Sequence, residues 1–79
     1  MLITKVQLDS IDKVKQFVNL VSCLDCDLDL VSGRYIVDAK SIMGIFSIDL
    51  SKPIELRIYD GAEQPQQVIE MLKDYIVTA

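Results

Sequence analysis

Apolar residues recur along this chain at two different periods, and the switches between them set the order of its elements. Leu2, Thr4, Val6 and Leu8 alternate with Ile3, Lys5 and Gln7, the two-residue repeat of a strand with one buried face. From Ile11 the repeat lengthens. Ile11, Val14, Phe17, Val18, Val21 and Leu24 return at three- and four-residue steps, which gathers them on one stripe of a helix capped by Asp9 or Ser10. Asp12, Lys13, Lys15, Gln16 and Asn19 take its outer side. Alternation then resumes. Cys26, Leu28 and Leu30 against Asp25, Asp27 and Asp29 predict a half-buried strand with an acidic outer face. Ser32-Gly33 makes a tight turn into a returning strand from Arg34 to Asp38.

The next stretch, Ala39 to Leu50, predicts a helix of two to three turns ending near Asp49 or Leu50. Ser41 stands where its hydroxyl can accept from a first-turn N–H as an N-cap. Ile45 and Ile48 share the inward face, while Ile42, Met43 and Phe46 spread over the neighbouring arc. One small core cannot cover so wide an apolar surface, so these three are expected to meet solvent or a partner. Gly44 lowers helix propensity and is expected to allow a close backbone approach. Lys52-Pro53 breaks the helix. Ile54, Leu56 and Ile58 alternate with Glu55, Arg57 and Tyr59 as the last strand, Asp60-Gly61 turns the chain, and Pro65 suits the first turn of a final helix. Val68, Ile69, Leu72, Tyr75 and Ile76 give that helix its apolar face.

The order β-α-β-β-α-β-α predicts an α+β fold, a two-layer open-faced sandwich with helices on one side of an antiparallel sheet. Right-handed crossovers place the last strand between the first two. Seventy-nine residues make one domain, 1–79, that buries about 60–65% of its unfolded surface. The net charge is −4 and the eight basic residues are scattered, which argues against nucleic acid and anionic membrane surfaces as partners. The N-terminus has no long apolar run, so the expectation is a cytoplasmic protein. The chain contains no histidine. That removes the commonest general base and metal ligand.

Lys40-Ser41-Ile42-Met43-Gly44 resembles the Lys-Ser-Ile-Met-Gly signature of the HPr family, the small phosphocarriers of the bacterial sugar phosphotransferase system. Ser32-Gly33 matches that family's Asn-Gly hairpin. The resemblance implies the same element order, a four-stranded antiparallel sheet in order 1-4-2-3 and three helices on one face. It also implies a regulatory phosphorylation site at Ser41 and a docking surface formed by Lys40, Ile42, Met43 and Phe46. The family carries its phosphoryl group on a histidine at the start of the first helix. Counting back from Ser41 without a gap, that position falls on Ser10, the family's arginine on Asp12 and its proline on Lys13. The loop is therefore degenerate, and no catalytic residue carries over.

The chemistry follows from these exchanges. A phosphoramidate on imidazole has a high transfer potential and a serine phosphoester does not, so Ser10 cannot stand in as a shuttle. Asp12 offers an acyl phosphate in principle, but a first-turn aspartate is an ordinary partner of the helix dipole. A phosphate on Ser41 would sit at a helix N-terminus, which favours anions. Cys23 and Cys26 end a helix instead of starting one, opposite to a thioredoxin-type pair, and zinc would need two further ligands. They read as buried or half-buried thiols. The alternate aspartates of the third element lie along a flat face instead of around an ion. No metal and no cofactor is expected.

The resulting expectation is a non-catalytic regulatory or adaptor protein that acts through Ser41 and the Ile42/Met43/Phe46 face. The partner would be a protein, either an HPr kinase/phosphorylase or a transcriptional regulator. A catabolite-repression relative within the family likewise lacks the histidine and keeps the serine. The alternatives are an unphosphorylated interaction module that buries the same face in a homodimer, and a phosphocarrier working through Asp12.

Overall fold

The structure is a computed structural model and describes residues 1–61 and 64–77. Its elements are β1 (Leu2–Val6), α1 (Ile11–Ser22), β2 (Leu28–Ser32), β3 (Tyr35–Asp38), α2 (Ile42–Phe46), β4 (Ile54–Ile58) and α3 (Pro65–Met71). The strands form one antiparallel four-stranded sheet in the order β1-β4-β2-β3. The central position of β4, the last strand in the chain, agrees with the sequence reading.

Register explains the alternation. Thr4, Leu56, Leu30 and Val37 lie in one row across the sheet, and Leu2, Ile58 and Leu28 in the next. These rows face the helices. The opposite face carries Ile3, Arg57, Asp29 and Asp38 in one row and Lys5, Glu55, Val31 and Ile36 in another. The core between the layers is built from Val14, Phe17 and Val21 of α1, Ile45 of α2, Val68 of α3 and the inward residues of β2 and β4. Tyr75 closes it edge-on against Phe17, with ring centroids 5.9 Å apart, and donates its hydroxyl hydrogen to Gln16 Oε1 at 3.2 Å. No buried side-chain nitrogen or oxygen among the described residues lacks a partner, as a core of this kind requires. No described helix is long and apolar enough to cross a membrane.

Several boundaries differ from the sequence reading: β3 begins at Tyr35 instead of Arg34, α1 ends at Ser22 instead of near Leu24, and four more have a visible cause. First, β1 ends at Val6, because Gln7 N–H donates to the Tyr75 carbonyl instead of to a sheet neighbour. Second, β2 begins only at Leu28; Cys26 is buried ahead of the ladder. Third, α2 has five residues, not two to three turns. Ser47 and Ile48 bond back to Gly44 and Ile45, three residues away, so the chain tightens and still delivers Ile48 to the core. Fourth, α3 stops at Met71, and Leu72, Tyr75 and Ile76 follow in successive turns. Leu72 and Tyr75 are buried all the same, and Ile76 pairs with Val6.

Candidate functional site

The turn from β3 into α2 is made by Asp38. Its carbonyl accepts from Ser41 N–H at 3.0 Å, and its Oδ1 accepts from Lys40 N–H at 2.8 Å. An aspartate that satisfies two following N–H groups in this way holds a tight turn. The turn delivers Ser41 in an extended conformation, φ −100°, as the N-cap of α2, with its Oγ accepting from Gly44 N–H at 3.2 Å. Ser41 is exposed. With only five residues, α2 sums few peptide dipoles, so an anion at Ser41 would meet nearby N–H groups more than a macrodipole. Gly44 faces β3 closely. A Cβ placed there would lie 3.3 Å from Val37 Cβ and 3.2 Å from Ser41 Oγ, which is the close approach its position suggested.

The apolar arc divides. Met43 is 78% exposed and Phe46 41%. Ile42, expected to share that surface, is half-buried and packs against the core, because the first turn of so short a helix lies against the sheet. Lys40 also differs from a simple surface cation. Its half-buried ammonium donates to the Leu24 carbonyl at 2.7 Å, tying the start of α2 to the end of α1.

At the start of α1, Ser10 is the N-cap and its Oγ accepts from Lys13 N–H at 3.1 Å. The Lys13 ammonium pairs with Asp9 at 3.0 Å. That hydrogen bond, with the ammonium's charge, holds the Asp9 carboxyl below its ordinary range. Asp12 is exposed in the first turn. Both arginines lie elsewhere: Arg34 in the β2–β3 turn, and Arg57 on β4, where its Nε donates to Glu55 at 2.7 Å. The loop thus offers an alcohol, two carboxylates and one paired ammonium, with neither an imidazole nor a guanidinium.

Sequence periodicity placed Ile11 in the core stripe of α1; it is instead 62% exposed. Ile11 stands in the first turn, beyond the core, and with Asp9, Ser10, Phe46, Leu50 and Ser51 lines an open groove of about 430 Å³. The loop before α1 and the exposed end of α2 therefore share one surface. Its one legible signal was the excess of apolar residues in α2.

The two cysteines sit in different environments. Cys23 is exposed, with its thiol 3.5 Å from the Asn19 carbonyl, whereas Cys26 is buried, and neither forms a disulfide. The expectation that both were at least half-buried fails at Cys23, which caps the exposed end of α1. Asp27 and Asp29 border a shallow cleft with Asp38 and Tyr59, where the Tyr59 hydroxyl donates to Asp29 at 3.0 Å.

No protein-family model matches the sequence, and no curated protein matches it. Among solved structures, the chain is similar to HPr-C-His from Thermoanaerobacter tengcongensis, with a TM-score of 0.77 and 23% identity over 94% of this chain and 89% of that one. The fold is HPr-like.

Proposed function

We propose that this chain is a non-catalytic regulatory or adaptor protein with an HPr-like fold, and that Ser41 and the Met43/Phe46 face are its working surface. The observation that carries this reading is an exposed serine hydroxyl set beside two exposed large apolar side chains, in a chain without histidine. The signature Lys40-Ser41-Ile42-Met43-Gly44 and the HPr neighbour support it together.

The physical logic is a charge switch on a docking patch. A phosphate adds close to two negative charges at neutral pH. Placed on Ser41 it would stand one turn from Met43 and Phe46, making the same patch favourable for a cationic partner and unfavourable for an acidic or apolar one. The nearest lysine in sequence, Lys40, is engaged with the Leu24 carbonyl, so the new charge would face outward and remain readable. Ile42 contributes mainly packing in this scheme, and Lys40 mainly positions the turn. The partner class remains a protein, either a kinase/phosphorylase of the HPr type or a transcriptional regulator. A carrier role is disfavoured by chemistry: the Ser10 position cannot form a high-energy phosphoramidate, and Asp12 has no guanidinium beside it.

The test is incubation with ATP and an HPr kinase/phosphorylase, read by intact mass, with Ser41→Ala in parallel. One added phosphate that the alanine variant lacks supports the reading. No gain by the wild-type protein leaves Ser41 a helix cap and removes the switch.

A further inference from the structure

The sheet has two edges, and they are treated differently. Beside β1 the chain beyond α3 returns: Val6 pairs with Ile76, Gln7 N–H donates to Tyr75 and Val77 N–H to Lys5. Beside β3 no further strand stands among the described residues. The bond from Ala39 N–H to the Leu28 carbonyl at 2.9 Å fixes the phase of the β2–β3 ladder. In that phase Val37 and Tyr35 exchange bonds with β2, while Ile36 opposite Val31 and Asp38 opposite Asp29 are the non-bonded pairs. The N–H and C=O of Ile36 therefore point away from the sheet. Edges are normally blunted by lysine, proline or a bulge; β3 reads Tyr-Ile-Val-Asp and leaves Tyr35 69% and Ile36 60% exposed.

We infer that β3 pairs antiparallel with β3 of a second copy about a two-fold axis through Ile36, joining two four-stranded sheets into one. The segment is self-complementary in that register. Ile36 meets Ile36 and exchanges both backbone bonds with it, Tyr35 meets Val37, and Arg34 of each copy comes opposite Asp38 of the other. Sliding by two residues in either direction sets Arg34 or Asp38 opposite Ile36 instead. The charges also ask for this partner. Asp38 lies directly across from Asp29 within its own sheet, a like-charge pair that is unfavourable. Asp29's other neighbour, Arg57, gives its guanidinium to Glu55. Arg34 has no ion pair among the described residues. A second copy brings that unused cation to the aspartate, twice over by symmetry. This interface uses neither Met43 nor Phe46, so it leaves the α2 surface open.

The experiment is sedimentation equilibrium over rising protein concentration, joined to amide hydrogen exchange at Ile36. The expected result is a concentration-dependent dimer in which Ile36 N–H, without a partner among the described residues of the single copy, becomes about tenfold more protected as the dimer fills. Arg34→Glu removes no side-chain hydrogen bond or ion pair among the described residues and should weaken association about tenfold, since it sets like charges opposite at both ends. Asp38→Arg also removes the acceptor of Lys40 N–H, so it is read only where circular dichroism shows the wild-type fold; there it should do the same, and the double variant should restore the dimer. Phe46→Ser should leave it unchanged. A chain that stays monomeric up to about 1 mM overturns the inference. So does a dimer that Phe46→Ser abolishes, one whose Ile36 amide exchanges as in the monomer, or a folded double variant that fails to recover.

Discussion

Replacing Lys40 by methionine separates two roles that the sequence could not. The change keeps an unbranched apolar stem, one atom shorter, and removes the charge and its donors. In the wild-type protein the ammonium donates to the Leu24 carbonyl at 2.7 Å from a half-buried position. Leu24 is itself buried at the end of α1, so its carbonyl loses a charged partner that water replaces only in part. A hydrogen bond to a charged group is worth about 1.5–3 kcal/mol. With the ammonium partly in water, about 1–2 kcal/mol of that is expected as lost stability. In a domain of this size each kcal/mol lowers the melting temperature by about 4–8 °C. The backbone turn is untouched, because the Lys40 N–H that bonds Asp38 remains. The assay is urea unfolding of Lys40→Met beside Lys15→Met, which removes an exposed lysine from the outer side of α1. If both variants unfold with the wild-type midpoint, Lys40 is a surface residue and the tie between α1 and α2 is wrong.

Ser41→Ala should cost about 1 kcal/mol in the same assay, since it deletes the acceptor of Gly44 N–H. Met43→Ser, at an exposed position, should stay within about 0.5 kcal/mol of wild type, while Ile45→Ala two residues on should lose about 2–5 kcal/mol because Ile45 is fully buried. Equal losses at the two positions would contradict the division of the α2 surface. Asp49 accepts from the hydroxyl and N–H of Ser51, and these bonds hold its carboxyl below the ordinary 3.8. A depressed carboxyl stabilises the fold above its unfolded pKa and loses that contribution as pH falls through its folded value. The stability gap between wild type and Asp49→Ala should therefore narrow below pH about 3.8. A gap unchanged down to pH about 2 would refute the assignment.

The order of elements was legible because each change of period is local. Two-residue alternation in β2 and β4 marks a sheet with one covered face, and the stripe of α1 needs only its own sequence. What failed was set by tertiary neighbours. Ile11 obeys the helical period but stands past the end of the core, and periodicity does not report where a core ends. The density of apolar residues from Ile42 to Ile48 suggested a longer α2. In the fold Ser47 turns its hydroxyl and its N–H onto the Gly44 carbonyl, closing the helix after five residues. At the candidate site, the cap at Ser41 and the exposure of Met43 and Phe46 were readable. Ile42's partial burial and the bond from Lys40 to Leu24, sixteen residues away in the chain, were not. Both depend on how α2 is laid against β3 and α1.

The account turns on whether phosphate reaches this chain through Ser41 and not through the loop at Ser10. The direct measurement is intact mass after two parallel reactions: phosphoenolpyruvate with the general enzyme of the phosphotransferase system, and ATP with an HPr kinase/phosphorylase. The account predicts a single added phosphate in the ATP reaction, absent from Ser41→Ala, and no gain from phosphoenolpyruvate. Labelling by phosphoenolpyruvate, or an unmodified protein in the ATP reaction, would contradict it.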